Sequence, residues 1–365
     1  MRVLVVAGAS GGHIFPAEAF LEKLREKYPS SESLLVLPSR SIALDLSFPK
    51  QRVAYLPSYR LSFSFSKKNI KGLLSFVRAA WQGLFILLRF KPDIVLGFGS
   101  LDSLPLVITA WFFRIKTLIH EQNVLPGKAN RFLAKFSDGV AISFLESKRH
   151  FGLREDKIFF SGNPIRGSLK KEPKEEALRS FGLEEGRLTI LVMGGSQGSS
   201  RVNELFLKAV ELIEDKKGFQ VLHILGRDGL LKDVQDRYKS LGVSAKVFLF
   251  SKEMGRVYSC ADLAVSRAGA TTISELIYFK VPAIFLPYPF AYRHQFYNAL
   301  ALEGIGAGII IKDEEASLGA LHKAIEGLVA NPVGLTKMRD NFKHIFQGNA
   351  VERLLEVAES LLYRD

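Results

Sequence analysis

Cysteine is almost missing from this chain: Cys260, in Tyr258-Ser-Cys-Ala-Asp262, is the only one in 365 residues. Without a partner it excludes an intrachain disulfide and a multi-cysteine zinc site, and it fits a reducing cytoplasm. Long apolar runs are missing as well. The longest candidates, residues 81–88 and 104–113, fall short of the roughly 20 residues that a spanning helix needs, so no bilayer-crossing segment is expected. The apolar opening strand lacks the length and small-residue cleavage pattern of a signal peptide, which argues against secretion. Asp-x-Asp occurs nowhere, which disfavours a metal-bound diphosphate and leaves helix N-termini to replace the cation. Neither a metal nor a cofactor is therefore expected.

Acidic residues vanish between Asp45 and Asp93, while Lys50, Arg52, Arg60, Lys67, Lys68, Lys71, Arg78, Arg89 and Lys91 fall in that interval. The formal net charge is +13, which calls for an anionic partner. Large apolar side chains such as Ile70, Leu74, Val77, Trp81 and Phe85 alternate with the basic ones, a composition suited to an anionic membrane surface. The expected membrane patch is Lys67, Lys68, Ile70, Lys71, Leu74, Val77, Arg78 and Trp81. Two other readings compete. The helical spacing of Leu73, Val77, Leu84 and Leu88 is equally that of a core-facing helix with a solvated basic side. A nucleic-acid groove would use the same charge, but no motif of that class accompanies it, and no nucleic-acid partner is expected.

What is present in abundance is one unit written twice. Arg2-Val-Leu-Val-Val-Ala-Gly8-Ala-Ser-Gly-Gly12-His13 and Arg187-Leu-Thr-Ile-Leu-Val-Met-Gly194-Gly-Ser-Gln-Gly198-Ser each read as a buried strand entering a glycine-rich loop. Strands are predicted at 2–6, 34–37, 94–96, 117–120, 139–143 and 158–160, then at 189–193, 220–224, 246–250, 263–266, 283–286 and 309–311. A first helix is predicted over 16–27. Strand–helix alternation signals parallel sheets, and the fold class is α/β with two Rossmann-like domains facing across a cleft. The boundary falls at Gly162-Asn-Pro-Ile-Arg166, giving domains 1–163 and 164–345. Val351, Leu354, Leu355, Ala358, Leu361 and Leu362 form one face of a last helix that needs a surface to cover.

Of seven histidines, only His13 directly follows a phosphate-type loop. It could take a proton from a substrate hydroxyl, or equally contact a phosphate or brace the loop. His120-Glu121-Gln122-Asn123 follows a strand, at the sheet edge where open α/β folds bind ligands; a hydrogen-bonded turn before Pro126-Gly127 is the plainer reading. In the segment 261–275, small residues separate a strand from a helix starting near Thr271, so backbone amides can meet a diphosphate. Glu275, one turn in, could accept both ribose hydroxyls or simply stabilise its own helix. Gln295 could meet vicinal sugar hydroxyls as donor and acceptor at once. A dinucleotide fingerprint fails: Gly8-Ala-Ser-Gly11-Gly12-His13 lacks the third glycine, and no acid ends the second strand.

In order, Gly8-Ala-Ser-Gly-Gly-His-Ile-Phe-Pro16, His120-Glu-Gln-Asn123, Gly162-Asn-Pro-Ile-Arg166, Gly194-Gly-Ser-Gln-Gly198, Arg267-Ala-Gly-Ala-Thr-Thr-Ile-Ser-Glu275 and His294-Gln295 before Asn298-Ala299 resemble the MurG family. These are peptidoglycan N-acetylglucosaminyltransferases that convert lipid I to lipid II, so the resemblance spans nearly the whole chain. It implies a GT-B fold, with UDP-GlcNAc on the second domain and the lipid-linked acceptor on the first. The last helix, 346–365, then counts with the first domain.

The family pattern implies that Ser196 and Gln197 approach the donor diphosphate, that Asn123 and Arg166 line the donor side, and that the backbone near Ser251 reads uracil. Ala270, Thr271, Thr272, Ile273 and Ser274 complete the donor set, with Glu275 on the ribose and Gln295 on the GlcNAc hydroxyls. Ser10, Gly11 and Gly12, counted with the donor-binding residues, would border the acceptor diphosphate, with His13 the favoured base. His120, Glu121, Asn130, Asn203, Arg267 and His294 are the expected acceptor and cleft residues. The implied reaction is inverting, metal-independent transfer at the cytoplasmic face of the inner membrane, serving cell-wall synthesis and division. This chain departs from the pattern where Gly99-Ser100-Leu101 replaces Gly-Gly-Tyr, so no tyrosine role carries over, and where Ser10 replaces threonine. Two rivals share these features: a diacylglycerol glycosyltransferase, and a non-catalytic nucleotide-sugar or polyanion-binding module.

Overall fold

A computed structural model describes the chain except residues 42–47, 59–66, 196, 227–229, 291–292, 313–316, 346–347 and 364–365, and the side chains of 67–71 and 73. The chain forms two compact units, one of Met1–Gly167 with Gly348–Asp365 and one of Ser168–Gln347.

The first unit runs β1 (Arg2–Ala7), α1 (Gly11–Lys27), β2 (Glu32–Pro38), β3 (Val53–Leu56), α2 (Lys67–Phe90), β4 (Ile94–Phe98), α3 (Leu104–Phe112), β5 (Lys116–Glu121), α4 (Lys128–Leu133), β6 (Gly139–Ile142) and β7 (Ile158–Phe160). All pairings are parallel, in the order β3-β2-β1-β4-β5-β6-β7. The apolar run of β1 feeds two cores. Val3, Val5 and Ala7 join Ile14, Phe20 and Leu24 of α1 on one face. Leu4 and Val6 join Leu87, Leu106 and Val107 on the other, as a strand covered on both sides requires.

The second unit runs α5 (Lys174–Phe181), β8 (Leu188–Met193), α6 (Ser200–Leu212), β9 (Phe219–Ile224), α7 (Leu231–Ser240), β10 (Ala245–Phe248), α8 (Met254–Cys260), β11 (Leu263–Ser266), α9 (Ala270–Phe279), β12 (Ala283–Phe285), α10 (His294–Glu303), β13 (Gly308–Ile310), α11 (Ser317–Val329) and α12 (Pro332–Asp340). Its sheet, β10-β9-β8-β11-β12-β13, repeats the order of the first. In both, strand order reverses beside the opening strand, which places ligand sites at the carboxyl ends of β1 and β4 and of β8 and β11. The final helix α13 (Ala350–Leu362) belongs to the first unit, where Leu354, Leu355, Ala358 and Leu361 complete the core behind β1 and Lys27 pairs with Glu359 at 3.0 Å.

Two sequence expectations need correction. Helix α1 starts at Gly11 rather than near Pro16, so His13 stands in its first turn and Pro16 lies inside the helix. A glycine pair reads as loop by propensity, but the Ser10 carbonyl accepts from the N–H of both His13 and Ile14 and pulls the pair into the helix. The core-facing reading of the basic helix also fails for Val77 and Leu88, while Leu84 is half-buried and the side chain of Leu73 lies outside the described residues. Helix α2 buries Ala79 and Leu87 and comes close to α3 at Gly83, where a Cβ would lie 3.7 Å from Leu106. Leu74, Val77, Trp81, Phe85 and Leu88, at helical spacing, are each more than half exposed. Phe112 on α3 is 73% exposed, and Arg78 and Arg89 are exposed on α2. The side chains of Lys67, Lys68, Ile70 and Lys71 lie outside the described residues.

Candidate functional site

The switch point of the first unit is built around the His13 ring. A Cβ on Gly8, after β1, would stand 2.4 Å from Ser100 Cβ and 2.9 Å from His13 Cδ2. A Cβ on Gly99, after β4, would stand 3.0 Å from His13 Nδ1. Two glycines thus make the slot that the imidazole fills, and Gly99 is further required by its φ of 72°. His13 Nδ1 lies 3.1 Å from Gln122 Oε1. Burial pushes the His13 pKa below its ordinary value, against the opposing pull of the Glu121 and Asp102 charges, which favours the neutral ring. Beyond Gly99, Ser100 and Arg40 both donate to Asp102, at 2.8 Å and at 2.8 and 2.9 Å.

Behind His13, several residues expected to face a ligand turn inward. His120 is buried, its Nε2 3.0 Å from the Gly162 carbonyl, and burial lowers its pKa to about 4. Glu121 is saturated: one oxygen accepts from the Asn123 N–H and Nδ2, the other from the Gly127 N–H and Asn130 Nδ2, all within 3.1 Å. His120, Glu121 and Asn130 therefore shape the loop and do not line a binding surface. The carboxylate organises the turn and presents Asn123, which is half-buried. Arg166 is also half-buried, stacked over the Phe15 ring at 4.0 Å. Ser10 sits at the N-terminus of α1 without spending its hydroxyl on a cap, beside Gly11 and Gly12.

In the second unit, the loop after β8 carries Gln197; Ser196 lies outside the described residues. Helix α9 begins at Ala270 after the N-cap residue Gly269, with no acidic side chain in its first turn, so the N-terminus at Ala270, Thr271 and Thr272 suits an anion. Ile273 and Ser274 are buried in the next turn. Glu275 accepts from the buried Tyr258 hydroxyl at 2.7 Å, an anchor outside its own helix, so the helix-stabilising reading is set aside. Ser251 is buried, its hydroxyl accepting from the Glu253 N–H at 3.1 Å.

Three expectations are modified here. Gln295 Oε1 already accepts from the N–H groups of Ala268 and Tyr288, at 3.2 and 2.9 Å. Two backbone donors fix the amide, so Gln295 offers a ligand its NH2 as donor, not donor and acceptor together. Asn203 is spent in the core, donating to the Leu225 carbonyl at 3.0 Å and facing His223 at 3.2 Å. Arg267 is buried and donates to the Leu286 carbonyl at 2.7 Å. His294, half-buried, opens α10 beside Gln295.

Two residues of this region lie in motifs quoted from the sequence but carried no role of their own there. Gln122 joins His13 to His120, a contact across 109 positions that no local pattern reveals. Asn163 is buried with neither amide atom hydrogen-bonded; its place in Gly162-Asn-Pro was the available signal.

Comparison with known proteins extends along both units. Residues 3–142 match the glycosyltransferase family 28 N-terminal domain and residues 189–354 match the glycosyltransferase family 28 C-terminal domain. The chain is 36% identical, over 100% of both chains, to the UDP-N-acetylglucosamine–N-acetylmuramyl-(pentapeptide) pyrophosphoryl-undecaprenol N-acetylglucosamine transferase of Thermodesulfovibrio yellowstonii. It is 34% identical to the same-named protein of Listeria welshimeri, over 99% of this chain and 100% of the relative. Among solved structures, Acinetobacter baumannii MurG superposes with a TM-score of 0.78 at 24% identity, over 98% of this chain and 99% of that one. A UDP-GlcNAc 2-epimerase from Neisseria meningitidis shares the fold with a TM-score of 0.67 at 17% identity, over 99% and 100% of the two chains.

Proposed function

Because this chain belongs to the family of UDP-N-acetylglucosamine–N-acetylmuramyl-(pentapeptide) pyrophosphoryl-undecaprenol N-acetylglucosamine transferases, we propose that it moves GlcNAc from UDP-GlcNAc to the MurNAc 4-hydroxyl of lipid I, giving lipid II. The observation that carries this reading is the end-to-end likeness, which takes in both the acceptor-side and the donor-side units. His13 takes the hydroxyl proton, the hydroxyl oxygen bonds to the anomeric carbon, and the bond from that carbon to the UDP oxygen breaks with inversion. The leaving diphosphate meets the open N-terminus of α9, while Glu275, oriented by Tyr258, accepts from the ribose. The test is transfer of labelled GlcNAc to a short-chain lipid I analogue in EDTA, with diacylglycerol as competing acceptor. Label on the lipid I analogue supports the reading. Label on diacylglycerol alone, or UDP binding without transfer, overturns it in favour of a glycolipid synthase or a binding module.

The Gln295 geometry sharpens the sugar contact. Gln295→Leu removes the NH2 donor and leaves two loop N–H groups unpaired, so UDP-GlcNAc affinity falls about tenfold and preference over the C4 epimer weakens. An unaltered preference in competition assays would take Gln295 out of sugar recognition.

The exposed stripe of α2 supports peripheral attachment to the cytoplasmic face of the membrane. Among the described residues no helix is long and apolar enough to cross a membrane, but Leu74, Val77, Trp81, Phe85 and Leu88 present one apolar face beside Arg78 and Arg89. Such a face enters the headgroup boundary, and each basic group near anionic lipid adds about 1 kcal/mol. The double variant Trp81→Glu, Phe85→Glu should bind vesicles of phosphatidylglycerol and phosphatidylcholine at least tenfold more weakly, with turnover of a water-soluble acceptor kept. Equal co-sedimentation with the vesicles would return the stripe to ordinary surface.

A further inference from the structure

The Phe98 backbone also acts on the His13 ring, and the chain of side-chain hydrogen bonds behind it, through Gln122 and His120, favours one assignment of its protons. The Gly162 carbonyl only accepts, so the His120 Nε2 lying 3.0 Å away carries hydrogen. His120 is neutral, its pKa lowered to about 4 by burial, so its Nδ1 is bare. The Gln122 nitrogen lies 3.0 Å from that Nδ1 and 3.2 Å from the His120 carbonyl, two acceptors that orient the amide with Nε2 toward His120. Gln122 Oε1 therefore faces His13, and because it only accepts, the His13 Nδ1 at 3.1 Å is the protonated nitrogen. The lone pair of neutral His13 is left on Nε2.

We infer that Gln122, backed by His120 and the Gly162 carbonyl, is a positioning residue that locks His13 in the Nδ1–H tautomer and so makes Nε2 the nitrogen that takes the acceptor proton. This rests on the reading of His13 as the base. Gly99 is part of the device: a Cβ there would stand 3.1 Å from Gln122 Oε1 and 3.0 Å from His13 Nδ1, crowding both ends of their hydrogen bond from the side. The partner is an amide and not a carboxylate, so it fixes the ring without adding negative charge. The charges that act on the ring are Glu121, at the end of β5, and Asp102, in the turn after Gly99, with the neutral His120 behind Gln122.

The first test reads the tautomer directly. In full-length protein carrying nitrogen-15 histidine, with UDP present, long-range proton–nitrogen correlation near pH 7.5 should show His13 protonated at Nδ1 and His120 at Nε2, the His13 signals being those lost in His13→Gln. Hydrogen on His13 Nε2 in the wild type overturns the inference whether or not any variant folds. In the second test, Gln122→Leu should lower kcat about 10- to 100-fold with KM for UDP-GlcNAc unchanged. Gln122→Glu places a carboxylate against His13, which raises its pKa, so the acidic limb of the pH–rate profile should move to higher pH. Wild-type kcat in a folded Gln122→Leu protein, or an unmoved limb in Gln122→Glu, overturns the inference too. Failure of the wild-type enzyme to transfer GlcNAc would sink the functional reading instead and leave the tautomer result standing.

Discussion

His13→Ala should lower turnover about a thousandfold while leaving UDP binding within about twofold. The imidazole sits in the first turn of α1, in a slot between Gly8 and Gly99 that it shares with the edges of Ser100 and Gln122. The residues set on the departing diphosphate and the ribose, Gln197 and Ala270 to Glu275, belong to the second unit. Removing the ring therefore takes away the proton acceptor and leaves the UDP contacts in place. The pH dependence follows with a definite sign. A base works only when unprotonated, and burial holds the His13 pKa below 6.5. In the wild type, kcat/KM therefore rises with pH through that pKa and is level above it; in His13→Ala the rising limb disappears. Steady-state rates on the lipid I analogue, paired with calorimetric titration of UDP, check both halves. Near-normal turnover, or a surviving acidic limb, would transfer the base role to another group.

The parts of the fold legible in the sequence are those whose physics is local. After their first residues, Arg2 and Thr189, the runs 2–6 and 189–193 are apolar on both faces, as a covered parallel strand requires, and they appear as β1 and β8. Strand β3 escaped notice because its four residues lie at the sheet edge, where Tyr55 is half exposed, within a stretch dominated by basic residues. The same contrast holds in the site. His13 and Glu275 stand out as reactive types at the mouths of glycine-rich turns. Gln122 does not, because its meaning comes from β5 lying beside β4 and bringing its end within reach of α1. Asn203 shows the converse error: a polar residue shortly after a glycine-rich loop is absorbed by a buried histidine and a carbonyl. On α2 the apolar members Leu74, Val77 and Trp81 of the expected patch are exposed, while the face toward the core combines the small Ala79 and Gly83 with Leu87.

The crossing of two glycines in the second unit leads to the other large expected effect. Gly198, in the loop after β8, and Gly226, just past β9, form an antiparallel bridge, with φ of 77° and 87°. A Cβ on Gly226 would stand 2.2 Å from Gly198 Cα and 2.7 Å from its nitrogen, and these backbone atoms have no rotamer to escape into. Gly226→Ala must therefore push the loop 194–199 out of place, carrying Gln197 and the Ser199 cap of α6 with it. The expected result is a loss of about 3 kcal/mol or more in the unfolding of that unit, and at least a tenfold loss of UDP affinity. Gly242→Ala separates the two causes. Its φ of 66° carries the same conformational penalty, but a Cβ there meets nothing within 4 Å, so it should cost only about 1 kcal/mol and leave UDP binding alone. Denaturant unfolding of both variants, with UDP titration alongside, makes the comparison. If Gly226→Ala is no less stable than Gly242→Ala and binds UDP as tightly, the close crossing does not hold the nucleotide loop, and the strained backbone alone accounts for the glycines.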